Sequence, residues 1–155
     1  MEIEVMERTS ADAVVERITT PLAELGERMG AAYERLGERL AALGATPTGP
    51  PVAIYVNTDD ESAWTIAVGF PLAPPLPVAD DLEVLHLPGG LSVVARHQGA
   101  YEGLAGVWQE VTEYLSQEGL EATAPPWESY VAAPPAVARP EEWLTEVVMP
   151  VAGRS

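Results

Sequence analysis

The sequence predicts an α+β fold: a β-α-β-β unit occurring twice in tandem, its antiparallel sheet carrying both helices on one face and a ligand cleft on the other. Three observations predict it. The chain resembles itself at a shift of 79 residues, its Val-rich segments alternate with period two, and two segments carry apolar residues at three-four spacing. At that shift Ile3-Glu4-Val5-Met6 falls on Leu82-Glu83-Val84-Leu85, and Val14-Val15-Glu16-Arg17 on Val93-Val94-Ala95-Arg96. Leu25, Glu34 and Leu36 meet Leu104, Glu113 and Leu115, and Trp64 to Val68 lie over Trp143 to Val147. Between these blocks the shift drops to 75, where Pro50-Pro51 meets Pro125-Pro126 and Tyr55-Val56 meets Tyr130-Val131. The expected organisation is a single domain, 1–155, made of repeats 1–75 and 78–155.

Each repeat opens on an alternating segment. In the first, Ile3 to Met6 and Val14 to Ile18 flank Thr9-Ser10-Ala11-Asp12; in the second, Leu82 to Leu87 and Leu91 to His97 flank Pro88-Gly89-Gly90. Such patterning around a turn-rich break predicts a hairpin or a bulged strand. A helix follows near 21–43, opened by Thr20-Pro21, striped by Leu22, Leu25, Met29, Ala32, Leu36, Leu40 and Leu43, and stopped at Gly44. Its counterpart near 101–118 carries Leu104, Val107, Trp108, Val111 and Leu115 and stops at Gly119. Two strands close each repeat: Val52 to Val56 with Trp64 to Phe70, then Trp127 to Val131 with Leu144 to Val148. The stretches Pro71 to Pro77 and Pro134 to Pro140 read as stiff connectors, the first joining the repeats.

Composition bounds the function. A chain of 155 residues that is 47% hydrophobic can build one domain with a sizeable core. No apolar run approaches the ~18 residues of a membrane span and no basic-then-apolar leader opens the chain, so a cytoplasmic protein is expected. There is no cysteine, which removes disulfides, thiolate metal sites and a Cys nucleophile; His86 and His97 alone cannot build a multi-histidine centre. Neither metal nor cofactor is expected. Twenty-four acids face eight bases, all of them Arg, for a net charge of −16. Such a charge repels phosphate backbones and anionic membrane surfaces, so no nucleic acid and no membrane is expected as a partner. A cationic or neutral lipophilic small molecule is tolerated, and the expected state is a monomer or weak homodimer.

Three stretches, taken together and in order, resemble a known family. They are Arg96-His97-Gln98-Gly99-Ala100-Tyr101, Trp127-Glu128-Ser129-Tyr130 and Thr145-Glu146-Val147-Val148-Met149-Pro150-Val151. They resemble the GyrI-like small-molecule-binding family, which includes gyrase-inhibitory proteins and the effector-binding domains of multidrug-responsive transcription regulators. The resemblance covers nearly the whole chain, and the combination carries it rather than any one motif. It implies a stand-alone effector-binding domain, because no helix-turn-helix segment flanks it. It also implies a role for Glu128: in effector domains of this family the acid of the matching strand lies against bound cationic drugs.

Strand alternation assigns the candidates to faces. Val52, Ile54 and Val56 share an all-aliphatic face, expected beneath the helices with Trp127. Ala53 and Tyr55, with their equivalents Glu128 and Tyr130, are expected on the face away from the helices, joined there by Glu146. The ligand-binding candidates are Glu128, Tyr130, Tyr55, Glu146, Trp64, Trp143 and Tyr101. Glu128, flanked by bulky aromatics, can attract an organic cation or act as a base. Glu146 near a sheet edge can equally be a charge that blocks aggregation. Tyr55 and Tyr130 can flank a planar ligand, with Trp64 and Trp143 at the rim. Tyr101 fits packing at the helix start as readily as ligand contact. Trp108 and Trp127 read as core, His97 as structural, His86 as a hairpin-edge residue. The loop Asn57 to Ser62, with Asp59, Asp60 and Glu61, lacks calcium-loop spacing. No Gly-x-Ser-x-Gly elbow, phosphate loop or dinucleotide fingerprint is present.

Three functions fit these residues. The leading one is stand-alone binding of lipophilic, aromatic or cationic small molecules, for drug sequestration or sensing. The second is implied by the resemblance, since some stand-alone relatives hydrolyse the cyclopropane of DNA-alkylating antibiotics. Glu128 would then be the catalytic base that activates water, while Tyr130 or Tyr55 steadies the developing phenolate. The third is a protein–protein module that binds gyrase or another basic partner through its acidic surface.

Overall fold

The computed structural model describes residues 2–60, 62–76, 82–133 and 137–153. In chain order they form β1 (Glu2–Arg8), β2 (Ala11–Thr20), α1 (Leu25–Ala42), β3 (Val52–Asn57), β4 (Trp64–Leu72), β5 (Glu83–Leu87), β6 (Gly90–Gln98), α2 (Leu104–Glu118), β7 (Leu120–Ala122), β8 (Trp127–Ala132) and β9 (Leu144–Gly153). This is an α+β fold, and its described strand pairs are antiparallel. Among the described residues no helix is long and apolar enough to cross a membrane. Glu61, Pro77, Pro134 and Pro135 of the loop and connector readings lie outside the described residues.

The chain forms two compact units, Ala11–Leu87 and Met1–Ser10 with Pro88–Ser155. In the first, the strands run in the order β3-β4-β2-β5. Helix α1 follows a single 3-10 turn at Leu22–Glu24, which Pro21 can enter because its fixed φ suits a helix start. Its stripe buries Ala32, Leu36 and Leu40, while Leu22 and Leu43 at the ends stay exposed. Leu36 and Leu40 pack on Val14 of β2 and Leu72 of β4. Burying each such side chain contributes ~1.5–3 kcal/mol.

The second unit orders its strands β1-β6-β9-β8, with β7 pairing the far end of β9. Helix α2, entered through a 3-10 turn at Tyr101–Gly103, buries Leu104, Val107, Val111 and Leu115 against Val93, Ala95, Val147 and Met149. It ends at Gly119, whose φ of 66° is left-handed and lets its N–H bond the Leu115 carbonyl. Glycine adopts that conformation without the steric cost a side chain adds.

Two expectations are corrected. The opening segments are not hairpins: β1 pairs with β6, while β2 pairs with β4 and β5. A two-residue hairpin turn needs positive φ, and Thr9-Ser10 offers no residue that takes it cheaply. The strand ends instead pass each other closely. A Cβ on Gly89 would lie 2.6 Å from the Ser10 nitrogen and 2.8 Å from the Arg8 carbonyl oxygen. His86, expected at a hairpin edge, lies on β5 opposite Asp12 of β2, with its Nδ1 2.9 Å from the carboxylate.

The second correction concerns the faces of β3 and β8. Ala53 and Tyr55 lie opposite Val68 and Ile66, on the face of β4 that Phe70 shares with Val14 and α1. Likewise Glu128 lies opposite Val147, which packs against α2. So Ala53, Tyr55, Glu128 and Tyr130 face the helices, whereas Val52, Ile54 and Trp127 face away. The alternation rule assumes one wet face. Here Val52, Ala53 and Ile54 are all buried, as are Trp127, Glu128 and Ser129. An all-aliphatic row therefore does not reveal where the helix lies.

Candidate functional site

The site grows from β8. Its register sets Glu128 across from Val147 and Tyr130 across from Thr145, on the face that carries α2. Glu128 is 3% exposed. Its Oε2 accepts a hydrogen bond from the Trp108 indole Nε1–H of α2 at 2.6 Å, and its Oε1 accepts one from the Tyr130 hydroxyl at 2.7 Å. Both donors are neutral. Among the described residues no arginine or histidine pairs with this carboxylate. An ion stripped of water and left without a counter-ion is costly, and two neutral hydrogen bonds offset that cost only in part.

Aromatic rings lead outward from it. The Tyr101 ring meets Tyr130 edge-on at 5.7 Å and Trp143 at 4.7 Å, tilted by 30°. Tyr101 itself is exposed, while Tyr130 and Trp143 are half-buried, so the series runs from buried acid to solvent. The turn that carries Tyr101 is held by His97. Its Nε2 lies 2.9 Å from the Ala100 carbonyl, and its ring packs so near Gly103 that a Cβ there would fall 2.6 Å from His97 Cε1. The Trp143 indole N–H donates to the Val137 carbonyl at 2.8 Å, and the Trp143 carbonyl accepts the Gly99 N–H at 2.9 Å. Partial desolvation of its hydroxyl, and secondly the negative charge of Glu128, push the Tyr101 phenol above its ordinary pKa although the ring reaches solvent.

Four of the seven sequence candidates thus come together: Glu128, Tyr130, Tyr101 and Trp143. Glu146 does not join them. It lies opposite Arg96 and Ser129 on the other face of its sheet, where Arg96 Nε reaches its carboxylate at 3.0 Å and Arg8 lies at 3.9 Å. Tyr55 and Trp64 belong to the unit Ala11–Leu87, where their rings meet edge-on at 6.0 Å. The Trp64 indole nitrogen is buried there without a hydrogen-bond partner among the described residues. Trp108 was the residue that pattern reading missed. Helical periodicity reads it as core, but a buried indole N–H needs an acceptor, and Glu128 was the available acid.

Similarity to known proteins bears on the fold and the family. No curated protein matches the chain in sequence. Among solved structures, the EcmrR C-terminal domain superposes with a TM-score of 0.81 at 19% identity, covering 98% of each chain. EcmrR in its complex with DNA gives 0.87 at 18% identity; 98% of this chain is covered but only 57% of that one, so this chain spans little more than half of EcmrR. SAV2435 bound to tetraphenylphosphonium gives 0.66 at 19% identity, covering 99% of this chain and 95% of that chain. A hydrolase encoded by lin2189 from Listeria innocua gives 0.63 at 13% identity, covering 97% and 92%. At such identities these likenesses establish the fold. Residues 1–152 match the family described as the GyrI-like small molecule binding domain, and to that family the chain belongs.

Proposed function

We propose that the protein binds lipophilic aromatic cations at Glu128, for sequestration or sensing of drug-like molecules. One observation carries this reading: a buried carboxylate held only by neutral donors, with a file of aromatic rings between it and solvent. Tyr130, Tyr101 and Trp143 would stack on the ligand or face its charge with their π systems. Glu146, on the other face of its sheet, is left out of this reading. SAV2435, of similar fold, is bound to tetraphenylphosphonium, a ligand of this class. The DNA in the EcmrR complex is a partner of that longer chain, and the net charge of −16 argues against direct nucleic-acid contact here. The reading takes the protein as cytoplasmic. It also treats the self-similarity at 79 residues as a tandem duplication in which one copy acquired the acid: Glu128 stands where the other copy has Ala53.

The test compares tetraphenylphosphonium with neutral triphenylphosphine oxide on wild type and Glu128→Gln. The substitution should weaken the cation by roughly ten- to a hundredfold, the worth of a contact to a charged group. The neutral ligand should lose far less. Equal losses for both ligands would leave Glu128 a structural acceptor for Trp108.

A second reading has its own observation, the Tyr130 hydroxyl on Oε1 of Glu128 at 2.7 Å. This pair supplies the base and the phenolic donor that hydrolysis of a cyclopropane-bearing alkylator requires. Incubation with such an alkylator followed by mass analysis separates the two. A hydrated product that disappears in Glu128→Gln means hydrolase; a complex without product means binder.

A further inference from the structure

In the unit Ala11–Leu87, β2 outlasts one of its partners. It pairs with β4 as far as Thr20 and Trp64 but with β5 only as far as Val15 and Glu83. The edge of β2 past that pair borders a cavity of about 350 Å³, within the range of ligand pockets (roughly 300–1,000 Å³). Val15, Leu36 and Leu82 make its apolar lining. The rest of the described lining is charged: Arg17, Arg35 and Arg39, three of the chain's eight arginines, with Glu16 and Glu83.

Arg17 and Arg35 are engaged in the same way. Arg17 donates through Nε and Nη2 to the Glu83 carboxylate at 2.9 and 2.8 Å, and Arg35 through Nε and Nη2 to Glu16. A guanidinium carries five N–H donors in a flat fork. Using the Nε–Nη2 edge leaves the Nη1 end of each, which bonds no protein acceptor among the described residues. The two side chains are 42% and 58% exposed, so those ends are reachable from solvent.

We propose that this cavity binds a small amphipathic anion, a carboxylate or phosphate on a short apolar chain. The Nη1 ends of Arg17 and Arg35, which come to the open edge of β2 from its two faces, take its oxygens, and its chain lies along Leu36 and Leu82 on the α1 face. At contact range the described lining sets three guanidiniums against the two carboxylates of Glu16 and Glu83, and the rest of the protein's negative charge acts from farther away. At about 0.15 M salt the Debye length is about 8 Å, which screens distant carboxylates and leaves the contact guanidiniums effective. The proposal is independent of the cation reading: the residues differ, and the preferred ligand charge is opposite.

Calorimetric titration of the full chain at about 0.15 M salt with octanoate, octyl phosphate, octanol and octylammonium tests it. At least one anion should bind saturably and more tightly than octanol and octylammonium, and the tighter anion tells carboxylate from phosphate. Arg17→Met and Arg35→Met should each weaken that anion about tenfold or more. Arg17→Lys, which keeps the charge without the fork, should recover part of the loss. Glu128→Gln should leave it unchanged. Circular dichroism checks the fold, and if one Met variant fails to fold, the other carries the test. Absence of saturable anion binding, octylammonium binding as tightly as the anions, indifference to both Met substitutions, or loss in Glu128→Gln would each overturn the proposal.

Discussion

Among the described residues Glu128 is the only buried acid, and its two donors make opposite demands on the fold. Trp108 reaches it from a helix, so the bond ties α2 to β8; Tyr130 reaches it along its own strand. Trp108→Phe keeps most of the ring packing and deletes one donor. It should cost ~1–3 kcal/mol in chemical denaturation, the desolvation penalty of an unsatisfied buried group. In a Glu128→Leu background the same change should cost much less, and equal costs in both backgrounds would show that the indole only packs. Tyr101 offers a second readout. Its phenol lies above its ordinary value of 10.0 because of burial first and Glu128 second. The folded state therefore holds that proton more tightly than the unfolded chain. The stability Tyr101 contributes is complete below the ordinary value and is lost as pH rises through the folded one. Tyrosinate absorbance against pH, with Tyr101→Phe to assign the transition, should place the Tyr101 midpoint above the ordinary value of 10.0. Glu128→Gln should lower its midpoint without restoring it fully, since burial remains. A Tyr101 that titrates with the unfolded chain would contradict the site's geometry. An acid inside a strand was visible in the sequence as an anomaly; its hydrogen bond to an indole 20 residues earlier was not, because periodicity sorts residues by polarity and is blind to a single N–H.

At the level of elements, what local patterning controls was legible and what partner choice controls was not. Three-four spacing and the stopping glycines located α1 and α2, and period-two runs located the strands. Which strand pairs with which depends on edges and turns that alternation leaves open, so β1 and β2 read as one hairpin although they belong to different units. The face of β8 was misread because Trp127 and Glu128 are both buried, and burial of both faces erases the contrast that alternation needs. These points make sharp expectations. Leu36→Ala and Leu104→Ala, each removing a buried leucine from a helix stripe, should cost ~2–5 kcal/mol in denaturant unfolding. Gly89→Ala should cost more than about 1 kcal/mol, because its methyl would meet the backbone of Arg8 and Ser10 rather than a side chain able to move. A Gly89→Ala protein as stable as wild type would mean that the close approach of those strand ends is not real.

For the whole molecule, the dominant fact is charge. Twenty-four acids stand against eight arginines, so acids outnumber bases three to one. The arginines present are heavily used: Arg17 with Glu83, Arg35 with Glu16, and Arg96 with Glu2, Glu4 and Glu146. Salt acts on both populations. It weakens the exposed pairs, each worth only ~0–1 kcal/mol, and it relieves the self-repulsion of a compact body at −16. With acids three to one over bases, relief should win, and Tm should rise as sodium chloride is added. Chloride is the salt of choice, because sulfate also strengthens apolar burial and would blur the cause. Cation binding should move the other way. Added salt screens the long-range attraction that concentrates an organic cation near the protein, so its association rate should fall while that of a neutral analogue holds. The contact with buried Glu128 is screened much less, so the dissociation rate should change little. Stopped-flow binding of a fluorescent aromatic cation across a salt series, beside a melting series in the same buffers, reads both. A Tm that falls with chloride would show that the arginine pairs outweigh the repulsion. A salt effect confined to the dissociation rate would place the bound cation among exposed surface acids instead of at Glu128.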